Sequence, residues 1–79
     1  MTSTTIGNGE SVTVPTTVNT ITLINDNNKD AHLEITGGGF DTQVTVPGND
    51  RKPFDTSKNG PKVTNKSKMD IETVSADLC

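Results

Sequence analysis

The sequence predicts an all-β fold: a small antiparallel β-sandwich of six to seven short strands. Three observations lead there. Thr occurs 14 times and Val and Ile together 12 times in 79 residues, and β-branched side chains suit an extended backbone. Apolar and polar residues alternate over short runs, as they do along a half-buried strand. Clusters of Gly, Pro, Asn and Asp interrupt the chain at roughly 8–12-residue intervals, the spacing of a small all-β domain.

Residues 1–10 read as a flexible N-terminal tail, with Asn8-Gly9 as a turn, and residues 11–79 as a single small β domain. Ser11 to Pro15 places Val12 and Val14 on one face; Pro15 then stops pairing, which predicts an edge strand. Val18 to Ile24 is the strongest strand, with Ile21 and Leu23 opposite Thr20 and Thr22. After the polar turn Asn25 to Asp30, Ala31, Leu33 and Ile35 point inward and His32, Glu34 and Thr36 outward. These two strands read as an antiparallel hairpin.

Gly37-Gly38-Gly39 breaks the chain, and Phe40 to Val46 resumes the alternation until Pro47-Gly48. Residues 48–61 read as a long polar loop, with Phe54 plugging the open end of the core. Lys62 to Asn65 is a short strand around Val63, and Met69 to Ser75 the last. Ser67 with Asp70 resembles a helix capping box, and Ile71, Val74 and Leu78 fall at helical spacing. A short C-terminal helix is therefore the alternative there. A faint echo favours the strand. Leu23-Ile24-Asn25, a polar turn and Leu33-Glu34-Ile35-Thr36 share an outline with Val63-Thr64-Asn65, a polar turn and Ile71-Glu72-Thr73. The outline suggests two paired hairpins. The overall pattern is like an immunoglobulin-like or cupredoxin-like sandwich or an open barrel, although the Cys–Trp–Cys set of immunoglobulin domains is missing.

Composition narrows the function. The formal net charge is −3, which disfavours general nucleic-acid binding. Charge is segregated along the chain, with a balance of −4 over residues 1–49, +4 over 50–68 and −3 over 69–79. No apolar run approaches the roughly 20 residues of a membrane-spanning helix. Residues 1–11 show neither the basic region nor the apolar stretch of a secretory leader. With one Cys there is no disulfide framework, and self-association is one remedy for so thin a core.

Asp26, Asn28 and Asp30 occupy the first three ligand positions of a calcium loop, where oxygen ligands converge on a hard cation. The pattern then fails. Ala31 stands where the loop needs Gly, and Gly37 where it needs a bidentate Glu. An Asx-rich turn explains the same residues. His32 is the single histidine, so blue-copper and structural zinc sites lack ligands. His32 shares its outward face with Glu34, and no nucleophile adjoins it in the sequence. Arg51, Lys52, Lys58, Lys62, Lys66 and Lys68 form a basic stretch that could dock an acidic partner. Single-strand nucleic-acid binding would also need stacking aromatics, and only Phe40 and Phe54 exist. Cys79 could form an intermolecular disulfide.

These readings predict a non-enzymatic protein-interaction or structural module without a cofactor. It would act through the basic 51–68 stretch or an exposed edge strand, at 11–15 or 62–65. The alternative is a calcium-assisted module binding a ligand such as a carbohydrate through the 26–30 loop. A protein partner is expected, with homo-oligomerisation or a Cys79-linked dimer as further routes to assembly. The Thr- and Asn-rich, Cys-poor composition suits an exported or surface protein.

Overall fold

In the computed structural model of the chain, residues 3–67 and 71–78 are described. They form eight strands and no helix: β1 (Ser3–Gly7), β2 (Ser11–Thr13), β3 (Thr20–Asn25), β4 (Ala31–Gly37), β5 (Phe40–Val46), β6 (Asp50–Asp55), β7 (Lys62–Asn65) and β8 (Thr73–Asp77). The strands make two antiparallel sheets that face each other, ordered β1-β8-β3-β6 and β2-β7-β4-β5. The sandwich is the expected one, with a strand order that differs from the immunoglobulin pattern. Eight strands wound in this order make a jelly roll.

The winding is legible in the register. β4 lies against β5, β3 against β6, β2 against β7 and β1 against β8. Residues 3–37 and 40–77 are thus the two sides of one long antiparallel ribbon. Wrapping the ribbon adds the β3–β8 and β4–β7 ladders. Its tip is the two-residue turn Gly38-Gly39 between the paired residues Gly37 and Phe40. Gly38 and Gly39 have φ of 60° and 88°, the values of a type I′ hairpin turn. A side chain on Gly38 would also collide with the Asn59 carbonyl.

Four sequence expectations change. The tail at 1–10 contains β1, because Ile6 is an inward apolar residue that pairs opposite Val74 and is buried. The polar loop at 48–61 contains β6, where Phe54 pairs opposite Ile21 and is half-buried against the core. Phe54 closes the β5–β6 side of the sandwich, edge-to-face with Phe40 at a centroid distance of 5.3 Å. β3 and β4 are no hairpin: they lie in opposite sheets, joined by an arch over residues 26–30. β7 and β8 likewise lie in opposite sheets. The last strand is Thr73–Asp77, in place of the helix alternative; Met69 and Asp70, on which part of both readings rested, lie outside the described residues.

Ile6, Val14, Ile21, Leu23, Leu33, Ile35, Val46, Val63, Ile71 and Val74 are almost fully buried, with Ala31 and Ala76 between them. The echo between Asn25 and Asn65 has a structural meaning. Both end a strand at an arch, both are 0% exposed, and both do the same two things. Each Oδ1 accepts the backbone N–H two residues on, Asn27 at 3.0 Å and Ser67 at 3.1 Å. Each Nδ2 reaches across to a strand-end carbonyl of the opposite sheet, Val46 at 3.0 Å and Ile6 at 3.1 Å. An Asx turn thus starts each arch, and the amide ties it to the next connection. Among the described residues no buried side-chain N or O atom lacks a hydrogen-bond partner.

Candidate functional site

Four of the six inter-sheet connections (β1–β2, β3–β4, β5–β6 and β7–β8) share one end of the sandwich, opposite the Gly38-Gly39 tip. They are stitched together there. Asn25 Nδ2 donates to Lys29 O at 2.7 Å and lies 3.2 Å from Pro47 O. Asn27 Nδ2 donates to Thr73 O at 3.0 Å, and Asn8 Nδ2 to Ile71 O at 3.0 Å. Asp26, Asn28 and Asp30 sit on the β3–β4 arch and are exposed. Asp30 Oδ1 accepts a long 3.4 Å hydrogen bond from Gly48 N. Among the described residues, no three His, Cys, Asp or Glu side chains group closely enough to hold a metal ion.

The basic residues do not converge. Arg51 pairs opposite Ile24 and projects from the outer face of the β1-β8-β3-β6 sheet. Lys52 pairs opposite the buried Leu23, so it starts from the inner face at the sheet edge and escapes to solvent. Lys62 opens β7 of the other sheet and Lys66 follows its last residue, so the two lie at opposite ends of that strand. Lys58 lies in the β6–β7 connection at the tip end, with φ of 58°. Lys68 and Cys79 lie outside the described residues. A stretch that is continuous in sequence is divided over two faces and two ends, because β6 and β7 fall in different sheets.

His32 is exposed on the outer face of β4, with Nδ1 3.3 Å from Thr45 Oγ1. Its backbone N–H donates to Ser67 Oγ at 3.0 Å. The surrounding outer face carries a polar row. Ser11, Thr64, Glu34 and Gln43 lie side by side across β2, β7, β4 and β5, and the Ser11 and Thr64 hydroxyls are 2.7 Å apart.

What the fold does present is edges. An edge strand offers unpaired backbone N–H and C=O groups to any chain that can lie beside it. β7, one of the two edges expected from sequence, is interior between β2 and β4. β2 is an edge, as its Pro15 suggests, but spans three residues. β6 is guarded twice, by Pro53, which has no N–H, and by the inward-rooted charge of Lys52. β1 and β5 carry neither device. β5 is the longer of the two, seven residues against five. Its outward residues Asp41, Gln43 and Thr45 are exposed, and its inward residues Phe40 and Val44 are half-buried at the rim. The sequence hid this edge because β5 alternates like an interior strand; only its place in the sheet exposes it.

No known protein family matches this chain, and no curated protein or solved structure shows significant similarity to it.

Proposed function

We propose that the chain is a non-enzymatic protein-interaction or structural module that takes up a partner strand along β5. The observation behind this reading is the contrast between edges: β6 carries Pro53 and Lys52, whereas β5, seven residues long, carries no proline and one charge, Asp41. Strand addition uses backbone hydrogen bonds for affinity and alternate side chains for selectivity. The fitting partner is an extended segment whose apolar residues fall beside Phe40 and Val44 and whose polar residues fall beside Asp41, Gln43 and Thr45. The Thr- and Asn-rich composition fits an exported or surface setting for such a module.

The test is a titration of the isotope-labelled protein with synthetic seven-residue peptides of alternating Val and Thr, followed by amide NMR. Saturable shifts confined to residues 40–46 and abolished by Gln43→Pro support the reading. Shifts centred on β1 or on the arches, or an unchanged response in Gln43→Pro, overturn it. Charge reversal of Arg51, Lys58, Lys62 and Lys66 to Glu is expected to leave the response to these uncharged peptides in place.

A further inference from the structure

Every strand pairing among the described residues joins the segment 3–37 to the segment 40–77. The pairs are β1–β8, β2–β7, β3–β6, β3–β8, β4–β5 and β4–β7. Neither segment contains a ladder of its own. The core is shared in the same way: Ile6, Ile21, Leu23, Leu33 and Ile35 come from the first segment, and Val46, Val63, Ile71 and Val74 from the second. The segments therefore relate to each other as two subunits that happen to be joined through Gly38-Gly39.

The relation is close to two-fold. Raising each strand number by four, and returning to β1 after β8, reproduces the whole pairing pattern. β1–β8 becomes β5–β4, β2–β7 becomes β6–β3, and β3–β8 becomes β7–β4. Register follows for one of these exchanges, β2–β7 with β6–β3, and comes within one residue for β3–β8 with β7–β4. Adding 40 to the first segment's numbers and subtracting 40 from the second's turns Ser11↔Thr64 into Arg51↔Ile24 and Val12↔Val63 into Lys52↔Leu23. The same operation turns the Asn65 Nδ2 to Ile6 O bond into Asn25 Nδ2 to Val46 O. The surface between the segments is thus self-complementary in strand order and in part of its register, although the β1–β8 and β4–β5 ladders differ by three residues; a two-fold dimer interface is self-complementary in the same sense.

We propose that a second copy of this chain can supply the missing segment, so that two chains exchange halves into a dimer. Each sandwich then combines residues 3–37 of one copy with 40–77 of the other. Every ladder and core contact is kept, and only the turn at Gly38-Gly39 opens. Two glycines permit both the tight turn and an extended crossing. The closed form holds an advantage of effective concentration, of millimolar order for a short flexible link. Dilute chains close on themselves, and chains folding together near millimolar concentration exchange. Once formed, the dimer reverts slowly, because closing requires every ladder to part.

The test uses the full chain in two forms. Wild type is refolded from denaturant at about 10 µM and at about 1 mM, on either side of the effective concentration. It is then diluted and sized by chromatography with light scattering. The expected result is a monomer of 8.4 kDa from the dilute sample and, from the concentrated one, an added species of twice that mass that persists on dilution. In the second form Gly38 and Gly39 are deleted. A two-residue loop is the tightest common hairpin connection, so Gly37 and Phe40 can no longer face each other within one chain. This form is expected to be a dimer at every concentration, with amide resonances matching the wild-type monomer except near residues 35–42. A monomeric, folded deletion variant overturns the proposal. So does a dimer with resonance changes along the β5 edge alone that dissociates promptly on dilution, since that is edge docking. If the deletion variant does not fold, wild type that is monomeric after refolding at both concentrations overturns it.

Discussion

Replacing Asn25 tests the arch end of the sandwich with one atom group. Its side chain is 0% exposed and is engaged five ways. Nδ2 contacts the carbonyls of Lys29, Val46 and Pro47 at 2.7, 3.0 and 3.2 Å. Oδ1 accepts from Asn27 N and Asn27 Nδ2 at 3.0 and 2.9 Å. Asn25→Ala removes them all without adding bulk. A neutral hydrogen bond contributes about 0.5–1.5 kcal/mol net, and a buried group left unpaired costs about 1–3 kcal/mol. The Val46 contact is buried and the others are part-buried. One weakened buried carbonyl and the partly solvated remainder together come to about 3–4 kcal/mol. A domain of this size holds about 4–12 kcal/mol in total, so the variant is expected to fold only marginally. Its Tm should fall by about 12–30 °C at roughly 4–8 °C per kcal/mol. Urea unfolding followed by far-ultraviolet circular dichroism measures the loss, with the slope m unchanged if both end states are intact. Asn25→Asp sharpens the test. It keeps the acceptor for Asn27 N but turns a carboxylate oxygen toward the carbonyls. Burial and facing carbonyls favour the protonated acid, so the folded-state pKa rises above the unfolded one. The folded state then binds more protons, and stability falls as pH rises. Asn25→Asp should therefore be weaker than Asn25→Ala at neutral pH and regain ground on it as pH drops toward the ordinary Asp range. A loss below about 1 kcal/mol for Ala, as for a solvated turn residue, refutes the assignment. So does an Asp-to-Ala difference that ignores pH.

Two further predictions concern the backbone and the edges. A Cβ on Gly48 would lie 2.7 Å from the Asn28 carbonyl carbon and 2.9 Å from Lys29 N; both are backbone atoms that cannot swing away. Gly48→Ala should cost about 1–3 kcal/mol and move the amide resonances of residues 25–30. Gly39→Asn should cost less than about 1 kcal/mol, because the space around Gly39 is open and Asn tolerates the positive φ of a type I′ turn; equal losses would refute the distinction. On β6, Lys52→Val with Pro53→Val removes both guards from the edge. The double variant should scatter more light than wild type at the same concentration, and equal scattering would mean that the guards do not matter.

The strand content was largely readable because alternation survives any topology. β3, β4 and β5 announce themselves through Ile21-Leu23, Ala31-Leu33-Ile35 and Val44-Val46. β1 was missed because a single inward aliphatic, Ile6, sits among Thr and Gly. β6 was missed because its inward positions are Asp50, Lys52 and Phe54, two of them charged. An edge strand that carries its own guards looks like a loop in sequence. The grouping of the basic residues failed for the complementary reason. Neighbours along the chain, Arg51 on β6 and Lys62 on β7, fall in different sheets, and no periodicity reports which sheet a strand joins.

The same limit explains the arch mistaken for a hairpin. Inward residues at 21, 23, 31, 33 and 35 alternate identically whether β3 and β4 lie side by side or face to face. The physical difference lies in what covers the aliphatics. A β3–β4 hairpin would place Ile21, Leu23, Leu33 and Ile35 on one face, and another part of a 79-residue chain would have to supply the second layer. Placing β4 in the opposite sheet lets the two strands cover each other, so burial comes from the segment itself. The cost is an arch whose first residue must be buried, and that position demands a side chain able to satisfy the turning backbone. Asn does this with one carbonyl and one amide, and it stands at both such positions, 25 and 65. The repeated Asn is therefore the sequence's mark of these two arches, although the strands at the other sheet changes end in Gly7, Thr13, Val46 and Asp55.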